Sequence, residues 1–136
     1  MPMQASYYNC DKTFTLGACK PVAPGPGEVQ LAVAYCGLCG TDLHVYQGHM
    51  DGRVGCARII GHEMSGTVVA AAPDVTDIAV GDKVAVRPLE PCHACPACRN
   101  GHSHICHNLR FLGLDADGAL QQRWTCLLYT SDAADE

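Results

Sequence analysis

Residues 39–44 read CGTDLH, and residues 61–63, a short way downstream, read GHE. Cys39 offers a thiolate, His62 an imidazole and Glu63 a carboxylate, and zinc accepts ligands of all three kinds. A catalytic zinc is held by three protein ligands and keeps one position for water or substrate. These two segments therefore predict an open zinc site.

A second group of potential ligands follows in the spacing Cys-x2-Cys-x2-Cys-x7-Cys. Four thiolates leave no position open, so this group predicts a structural zinc site that contributes folding energy and no chemistry. An iron–sulfur cluster is an alternative, but bacterial ferredoxins place proline after the fourth cysteine, and His107 stands there in this chain. A disulfide pair is a further alternative. The four residues are Cys92, Cys95, Cys98 and Cys106.

The composition is that of an ordinary globular domain. The chain has 136 residues, of which 48% are hydrophobic and 17% charged, with a net charge of −5. It is long enough for one domain with a core, and no basic patch favours nucleic acid or an anionic membrane. No apolar run approaches the roughly 18 residues that span a bilayer, and the N-terminus lacks the features of a signal peptide. We therefore expect a cytoplasmic protein.

The cysteine content needs an explanation, since the chain has 10 of them. Disulfides are rare in a reducing cytosol, which favours metal binding for the two groups described above. Of the five cysteines outside those groups, Cys126 belongs to the C-terminal segment described below, and we interpret the other four as ordinary small residues, half-buried or exposed. They are Cys10, Cys19, Cys36 and Cys56. The histidines among the clustered cysteines are interpreted as solvated surface residues; they are His93, His102, His104 and His107.

Short apolar segments separated by glycine and proline predict a mainly β fold with a partly open barrel. A hairpin is expected within residues 1–20, a turn at 21–27, and strands at 28–35, 67–71 and 83–87. Residues 41–46 predict a short helix with Thr41 or Asp42 near its N-cap, followed by a loop at 48–55. Residues 88–109 form a cysteine-rich lobe with little regular structure.

These motifs resemble those of the zinc-dependent medium-chain alcohol and polyol dehydrogenases, the group of sorbitol, threonine and butanediol dehydrogenases. The resemblance covers roughly residues 20–107 in the family's order and spacing. It implies a GroES-like barrel over residues 1–125, with the structural zinc lobe at about 88–109. The matching segments are 24–29 (PGPGEV), 36–44 (CGLCGTDLH), 60–63 (IGHE), 80–84 (VGDKV) and the four-cysteine lobe.

The resemblance also implies a chemistry for the open site. Zinc lowers the pKa of an alcohol oxygen as a Lewis acid, which eases hydride loss to a nicotinamide, NAD or NADP. By this resemblance Thr41 takes the alcohol proton, His44 passes it to solvent and Asp42 orients a zinc-binding histidine. Glu63 is either a ligand or a carboxylate just behind the ion, and in other relatives the third ligand lies beyond Thr125. The alternatives are Thr41 as a helix cap only and His44 as a surface histidine.

Relatives usually have glycine at two positions where this chain has Ala72 and Asp74, just after the strand at 67–71. Glycine there often allows a positive φ, which alanine adopts poorly. We therefore expect a strained or rerouted turn. His93 likewise replaces a common glycine inside the cysteine lobe.

Residues 126–136, CLLYTSDAADE, match the translation of a common transposon adapter used in sequencing libraries. We expect them not to be native and the natural sequence to be interrupted near Thr125. The dinucleotide-binding Rossmann domain of the family is absent, since no Gly-x-Gly-x-x-Gly segment follows a strand in this chain. The chain alone is therefore expected to be inactive.

The sequence favours the N-terminal catalytic domain of a zinc-dependent, NAD(P)-linked dehydrogenase with two zinc ions per chain. Its substrate would be a small secondary alcohol: a polyol, a sugar alcohol or a hydroxy amino acid. The resemblance implies that the parent enzyme is a homodimer or homotetramer. A free-standing, non-enzymatic zinc module is the alternative. A co-chaperonin-like barrel would need a mobile partner-binding loop and no metal, and the cysteines argue against it.

Overall fold

Short strands make up most of the regular structure in the computed structural model, which describes residues 2–128 and 131–133. The strands are β1 (Met3–Tyr8), β2 (Phe14–Cys19), β3 (Glu28–Gly37), β4 (Arg58–Ile59), β5 (Glu63–Ala71), β6 (Lys83–Val86), β7 (Leu89–Glu90), β8 (Arg110–Phe111), β9 (Arg123–Leu127) and β10 (Ser131–Ala133). The helices are α1 (Gly40–Tyr46), α2 (Asp51–Val54), α3 (Pro96–Arg99) and a 3-10 turn at Ser103–Ile105. The mainly β prediction is confirmed.

The central sheet is antiparallel and has the strand order β10-β6-β5-β3-β9. Its longest pairing joins β3 to β5 and ends with Gly37 opposite Glu63. A second sheet has the order β2-β1-β4, and β7 pairs with β8 in the cysteine lobe. The end of β3 and the start of β5 therefore lie side by side, one leading into residue 39 and the other following residue 62.

Two buried clusters hold these sheets together. Alternating residues of β3, Val29 and Leu31, are almost fully buried against Val68, Val84 and Trp124 of the neighbouring strands. This is the burial expected from a strand whose apolar residues recur at every second position. A smaller cluster lies under α1 and includes Tyr8, Val45, Val54, Ile60 and Leu114.

The helix following β3 begins differently from the prediction. Its N-cap is Cys39 rather than Thr41 or Asp42, so the helix starts at Gly40. The predicted loop at 48–55 contains the short helix α2, whose Val54 is buried in the smaller cluster. Burial of that side chain explains why a segment rich in glycine still completes one helical turn.

The turn at residues 72–74 has no positive φ, so the prediction of strain is wrong, while a rerouted turn stays a prediction. The non-glycine residues with positive φ in the described chain are Cys10, Lys12, Ala57 and His93. Ala72 is instead buried, and the carboxylate of Asp74 accepts a hydrogen bond from the Gly27 N–H at 2.9 Å. His93 has a φ of 56°, the conformation for which glycine is favoured.

The interpretation of Cys10 and Cys56 as ordinary small residues is wrong, because a disulfide bond joins them. Their Cα atoms are 5.0 Å apart, within the range that a disulfide spans. The bond connects the β1–β2 loop to the segment between α2 and β4. Sequence spacing alone gave no sign of this pairing, since 46 residues separate the two cysteines.

The predicted boundary after Thr125 falls inside β9, and Cys126 is buried in the main cluster. The burial of Cys126 does not show whether residues 126–136 are native, so their assignment to an adapter stays a prediction. Residues 129–130 and 134–136 of that segment lie outside the described residues. Within the described part of the chain, no helix has the length and apolar character needed to cross a membrane.

Gly66→Ala is predicted to destabilise the central sheet by about 1–3 kcal/mol through overpacking. Gly66 pairs with Val33 beside an irregularity in β3, and an added Cβ would clash with the carbonyl oxygen of Ala32. Urea unfolding followed by Trp124 fluorescence measures the change.

Gly52→Ala is the matched control, since Gly52 lies in α2 and an added Cβ would meet no atom within 4 Å. This variant should gain up to about 1 kcal/mol from the higher helix propensity of alanine. An unchanged urea midpoint in Gly66→Ala would show that β3 yields to the extra methyl group.

Candidate metal centres

The start of α1 is built around the sulfur of Cys39. Cys39 has an extended backbone, and its Sγ accepts a hydrogen bond from the Thr41 N–H at 3.3 Å. In return, Oδ2 of Asp42 accepts a hydrogen bond from the Cys39 N–H at 3.0 Å. This is a capping box in which a thiol takes the place of the usual hydroxyl. The helix start therefore fixes where the sulfur points.

His62 and Glu63 reach the same place from the start of β5, the strand that is paired with the end of β3. The imidazole Nε2 of His62 lies 3.0 Å from Cys39 Sγ. One ligand atom from each of Cys39, His62 and Glu63 lies within 4.8 Å of the other two. His62 is buried, Cys39 is half-buried and Glu63 is exposed, so the cluster opens towards solvent on one side.

The far nitrogen of His62 faces a buried carboxylate. Nδ1 lies 3.6 Å from Oδ1 of Asp42, slightly longer than a hydrogen bond, and the two side chains are only 5% and 4% exposed. Neither atom has another hydrogen-bond partner among the described residues. Because an Nδ1–H directed at a carboxylate leaves Nε2 available as a ligand, this arrangement suits a metal-binding histidine. The ring of Phe111 packs on the imidazole at 5.1 Å and limits its rotation.

These observations fit a zinc ion at the open cluster. Its donor set is sulfur, nitrogen and oxygen, and a carboxylate holds the histidine from behind. Cys36, on the neighbouring strand, is not an equivalent donor, because burial raises the pKa of its thiol to about 11. Tyr35, Leu38 and Leu43, close to Cys39 in sequence, expose most of their side chains and give this surface an apolar character.

Thr41 and His44 are both on α1, three residues apart, and so share one helix face. Thr41 is half-buried at the first turn, and its N–H contacts the Cys39 sulfur. His44 is exposed near the helix end, and its Nδ1 lies 3.3 Å from Nδ1 of His49. Sequence reasoning missed His49, because no motif includes it and its approach depends on the turn at Gly48.

The four-cysteine lobe brings its sulfur atoms equally close, since all four lie within 4.8 Å of one another. Cys95 is the N-cap of α3 and Cys98 lies within that helix, while Cys106 returns directly after the 3-10 turn. None of the four is in a disulfide, so the disulfide alternative is not supported. The histidines of this lobe are exposed, as predicted.

Backbone N–H groups point at these sulfur atoms. The N–H of Cys95 donates to Cys92 Sγ at 3.3 Å, and the N–H of Asn108 donates to Cys106 Sγ at the same distance. Hydrogen bonds from the Ala94 and Cys95 backbone lower the pKa of Cys92 to about 5, whereas burial raises that of Cys98 to about 12. Four thiolates at this separation repel one another, and a divalent cation removes that repulsion. The lobe therefore fits a closed metal site.

A cavity of about 570 Å³ lies apart from both clusters, along β9 and the β7–β8 pair. Two of the cations that line it already face carboxylates: Arg58 lies 3.3 Å from Asp117, and Arg110 lies 3.4 Å from Glu90. None of the clustered metal-ligand candidates lines this cavity. Its position does not identify a ligand.

Comparison with known proteins places this geometry in a family. The model of the alcohol dehydrogenase GroES-like domain matches residues 25–127. The chain is 48% identical over 123 residues to 2-dehydro-3-deoxy-L-galactonate 5-dehydrogenase of Pseudoalteromonas atlantica, covering 90% of this chain and 36% of that protein. It is 43% identical over 101 residues to L-threonine 3-dehydrogenase of Pyrococcus abyssi, covering 73% of this chain and 29% of that protein.

A solved structure agrees with this result. An alcohol dehydrogenase of Escherichia coli CFT073, complexed with NADH, superposes with a TM-score of 0.91 at 30% identity, covering 98% of this chain and 39% of that one. The chain thus spans about a third of the length of the relatives it matches. The GroES-like fold predicted from the motifs is confirmed, and the chain belongs to the alcohol dehydrogenase GroES-like domain family.

Proposed function

We propose that this chain is the N-terminal catalytic domain of a zinc-dependent, nicotinamide-linked dehydrogenase that oxidises a secondary alcohol to a ketone. The observation that carries the proposal is the convergence of Cys39, His62 and Glu63 on one half-open position, with their ligand atoms within 4.8 Å. The helix that begins beside this position carries Thr41 and His44. Three protein donors leave one position of a zinc ion for a substrate oxygen, whereas the four cysteines of the lobe would fill all four positions.

A zinc ion bound by Cys39 and His62 would act as a Lewis acid on the substrate oxygen. Glu63 is either the third protein ligand or a carboxylate directly behind the ion. Asp42 holds His62 with Nε2 directed at the cluster. Thr41 accepts the proton of the alcohol, and His44 passes it towards solvent. His49 is the nearest acceptor that the structure adds to this route.

The four-cysteine lobe would hold a second, structural zinc ion. Its ligands come from a segment in which the regular structure is limited to one-turn helices and two-residue strands. Such a segment buries little apolar surface, so metal coordination has to supply much of its folding energy. The proposed content is therefore two zinc ions per chain.

The substrate class follows from the relatives, which are named for a galactonate derivative and for L-threonine. We propose a small polyol, sugar alcohol or hydroxy amino acid. Because the chain covers 36% of the galactonate enzyme, the proposed parent protein has further residues that bind NAD or NADP. We propose that this parent is a cytoplasmic homodimer or homotetramer, that residues 126–136 are not native, and that the chain alone is inactive.

Metal analysis separates this proposal from a non-enzymatic zinc module. We expect two zinc ions per chain by mass spectrometry of the folded protein, and one in each of the variants Cys39→Ser and Cys95→Ser. Cys95→Ser should lose most of the thermal stability, because the closed site contributes folding energy. Cys39→Ser should unfold near the wild-type temperature.

Cys19→Ser is the matched control, since Cys19 is a free thiol outside both clusters. It should keep two zinc ions. A single zinc in the wild type that survives Cys39→Ser would favour the non-enzymatic module. Iron with visible absorbance in the wild type would instead favour the iron–sulfur alternative for the lobe.

The catalytic roles are tested in the uninterrupted natural protein, recovered by a long read across the codon for Thr125. With NAD or NADP and a panel of polyols and hydroxy amino acids, Thr41→Ala should lower kcat by about 100-fold, since positioned proton transfer is worth about that much. Thr41→Ser, which keeps the hydroxyl group, should stay close to wild type. Equal activity of the alanine and serine variants would exclude Thr41 from proton transfer.

A further inference from the structure

We propose that Cys10 and Cys56 form a reversible thiol-oxidation site, distinct from both metal clusters. Their disulfide joins two surface segments that are 46 residues apart in sequence. The cysteines of the two metal clusters, together with Cys19 and Cys36, are free thiols. Oxidation is therefore confined to one pair, while the candidate metal ligands stay reduced. This inference does not depend on the proposed dehydrogenase activity.

Backbone conformation at the pair favours reversibility. In the described chain, Cys10, Lys12 and Ala57 have φ angles of 52°, 64° and 57°. These three residues lie in the two segments that the disulfide joins, and among the described residues His93 is the one other non-glycine residue with a positive φ. Residues with a Cβ disfavour this region. The cross-link thus holds both segments in a conformation that they can leave once it opens.

The pair is also within reach of a thiol reagent. Cys56 is exposed and Cys10 is half-buried, so at least one sulfur atom faces solvent. Exposed or strained disulfides are the ones that are readily reduced, whereas buried structural ones resist the cellular thiol pool. Where disulfides do form in a reducing compartment, they are usually transient.

The Cys10–Cys56 disulfide lies next to the smaller buried cluster, which packs under α1 and so supports the open metal cluster. Cys10 packs against the smaller buried cluster, to which α1 contributes Val45 and the segment before His62 contributes Ile60. In the same layer, the hydroxyl group of Tyr8 donates a hydrogen bond to Oδ1 of Asp51 in α2 at 2.6 Å. Opening the disulfide releases the β1–β2 loop from this layer. We therefore expect the chain around α2 to become more accessible in the reduced form.

The redox step balances with a low-molecular-weight disulfide of the glutathione class. Closing the bond removes two electrons and two protons from the Cys10 and Cys56 thiols, and the external disulfide takes them up as two thiols. Opening is the reverse, in which a thiolate attacks one sulfur through a mixed disulfide. No group outside the pair and the reagent is consumed.

Peptide mapping tests the site in the chain as it stands. Trypsin cuts after Lys12, Arg53 and Arg58, which places Cys10 in peptide 1–12 and Cys56 in peptide 54–58. In protein isolated without reductant and alkylated before digestion, we expect these two peptides as one linked species. Incubating the folded protein with excess reduced glutathione should separate them, and glutathione disulfide should restore the link.

Limited proteolysis of the folded protein tests the conformational consequence. Cleavage after Lys12 and Arg53 should be several-fold faster in the reduced form. The double variant Cys10→Ser/Cys56→Ser should be cut at the fast rate with or without glutathione, and Cys19→Ser should behave as wild type. Zinc content is measured in both forms, so that cleavage caused by metal loss is recognised.

Three results would overturn the proposal. The first is a pair of peptides that stays unlinked at every ratio of reduced to oxidised glutathione. The second is a link that excess reduced glutathione leaves intact, which marks a permanent structural disulfide. The third is cleavage that is equal in both forms, or that becomes faster only in samples that have lost zinc.

Discussion

The carboxylate of Asp42 is the interaction on which the open cluster depends. One of its oxygens accepts the Cys39 N–H and begins α1, and the other faces Nδ1 of His62. A single buried side chain therefore orients the sulfur and the imidazole together. Because an unpaired buried carboxylate is costly, Asp42 stabilises the fold only while both contacts are present. Helix start and ligand geometry are coupled in this way, and neither can move without the other.

The register of the central sheet supplies the remaining constraint. Gly37 is paired with Glu63, so the chain leaving β3 and the chain entering β5 meet where Cys39 and His62 face each other. A slip of one residue would turn every side chain of β5 to the opposite face. Buried Val68 and Met64 oppose such a slip, because both contribute to the main apolar cluster. Packing in the main apolar cluster thus determines whether the three ligand atoms converge.

The sequence patterns correctly predicted those features that depend on residues close together in the chain. The alternation at 28–35 corresponds to β3, the segment 41–46 to α1, and the cysteine spacing brings four sulfur atoms together, because neighbouring turns can reach one point. The Cys39 cap was missed since a thiol rarely takes that position. The approach of His49 depends on the turn at Gly48, and the Cys10–Cys56 bond depends on segments folding over the smaller cluster, which no spacing rule reports. The turn at Ala72 needs no glycine, because none of its residues has a positive φ. The carboxylate of Asp74 accepts a hydrogen bond from the Gly27 N–H.

The cysteines of this chain lie in different surroundings, and three of these surroundings favour different sulfur chemistry. In the lobe, backbone N–H groups surround the sulfur atoms and favour a thiolate at Cys92, which a cation can bind. At Cys36, burial disfavours ionisation, and the residue stays a thiol beside the open cluster. Cys10 and Cys56 lie on two surface segments held close together, where oxidation needs no metal. The smaller cluster connects the last of these environments to α1, because Cys10 and Val45 pack into it together. The proposed opening of the pair would therefore act on the same packing that supports the helix that Cys39 begins.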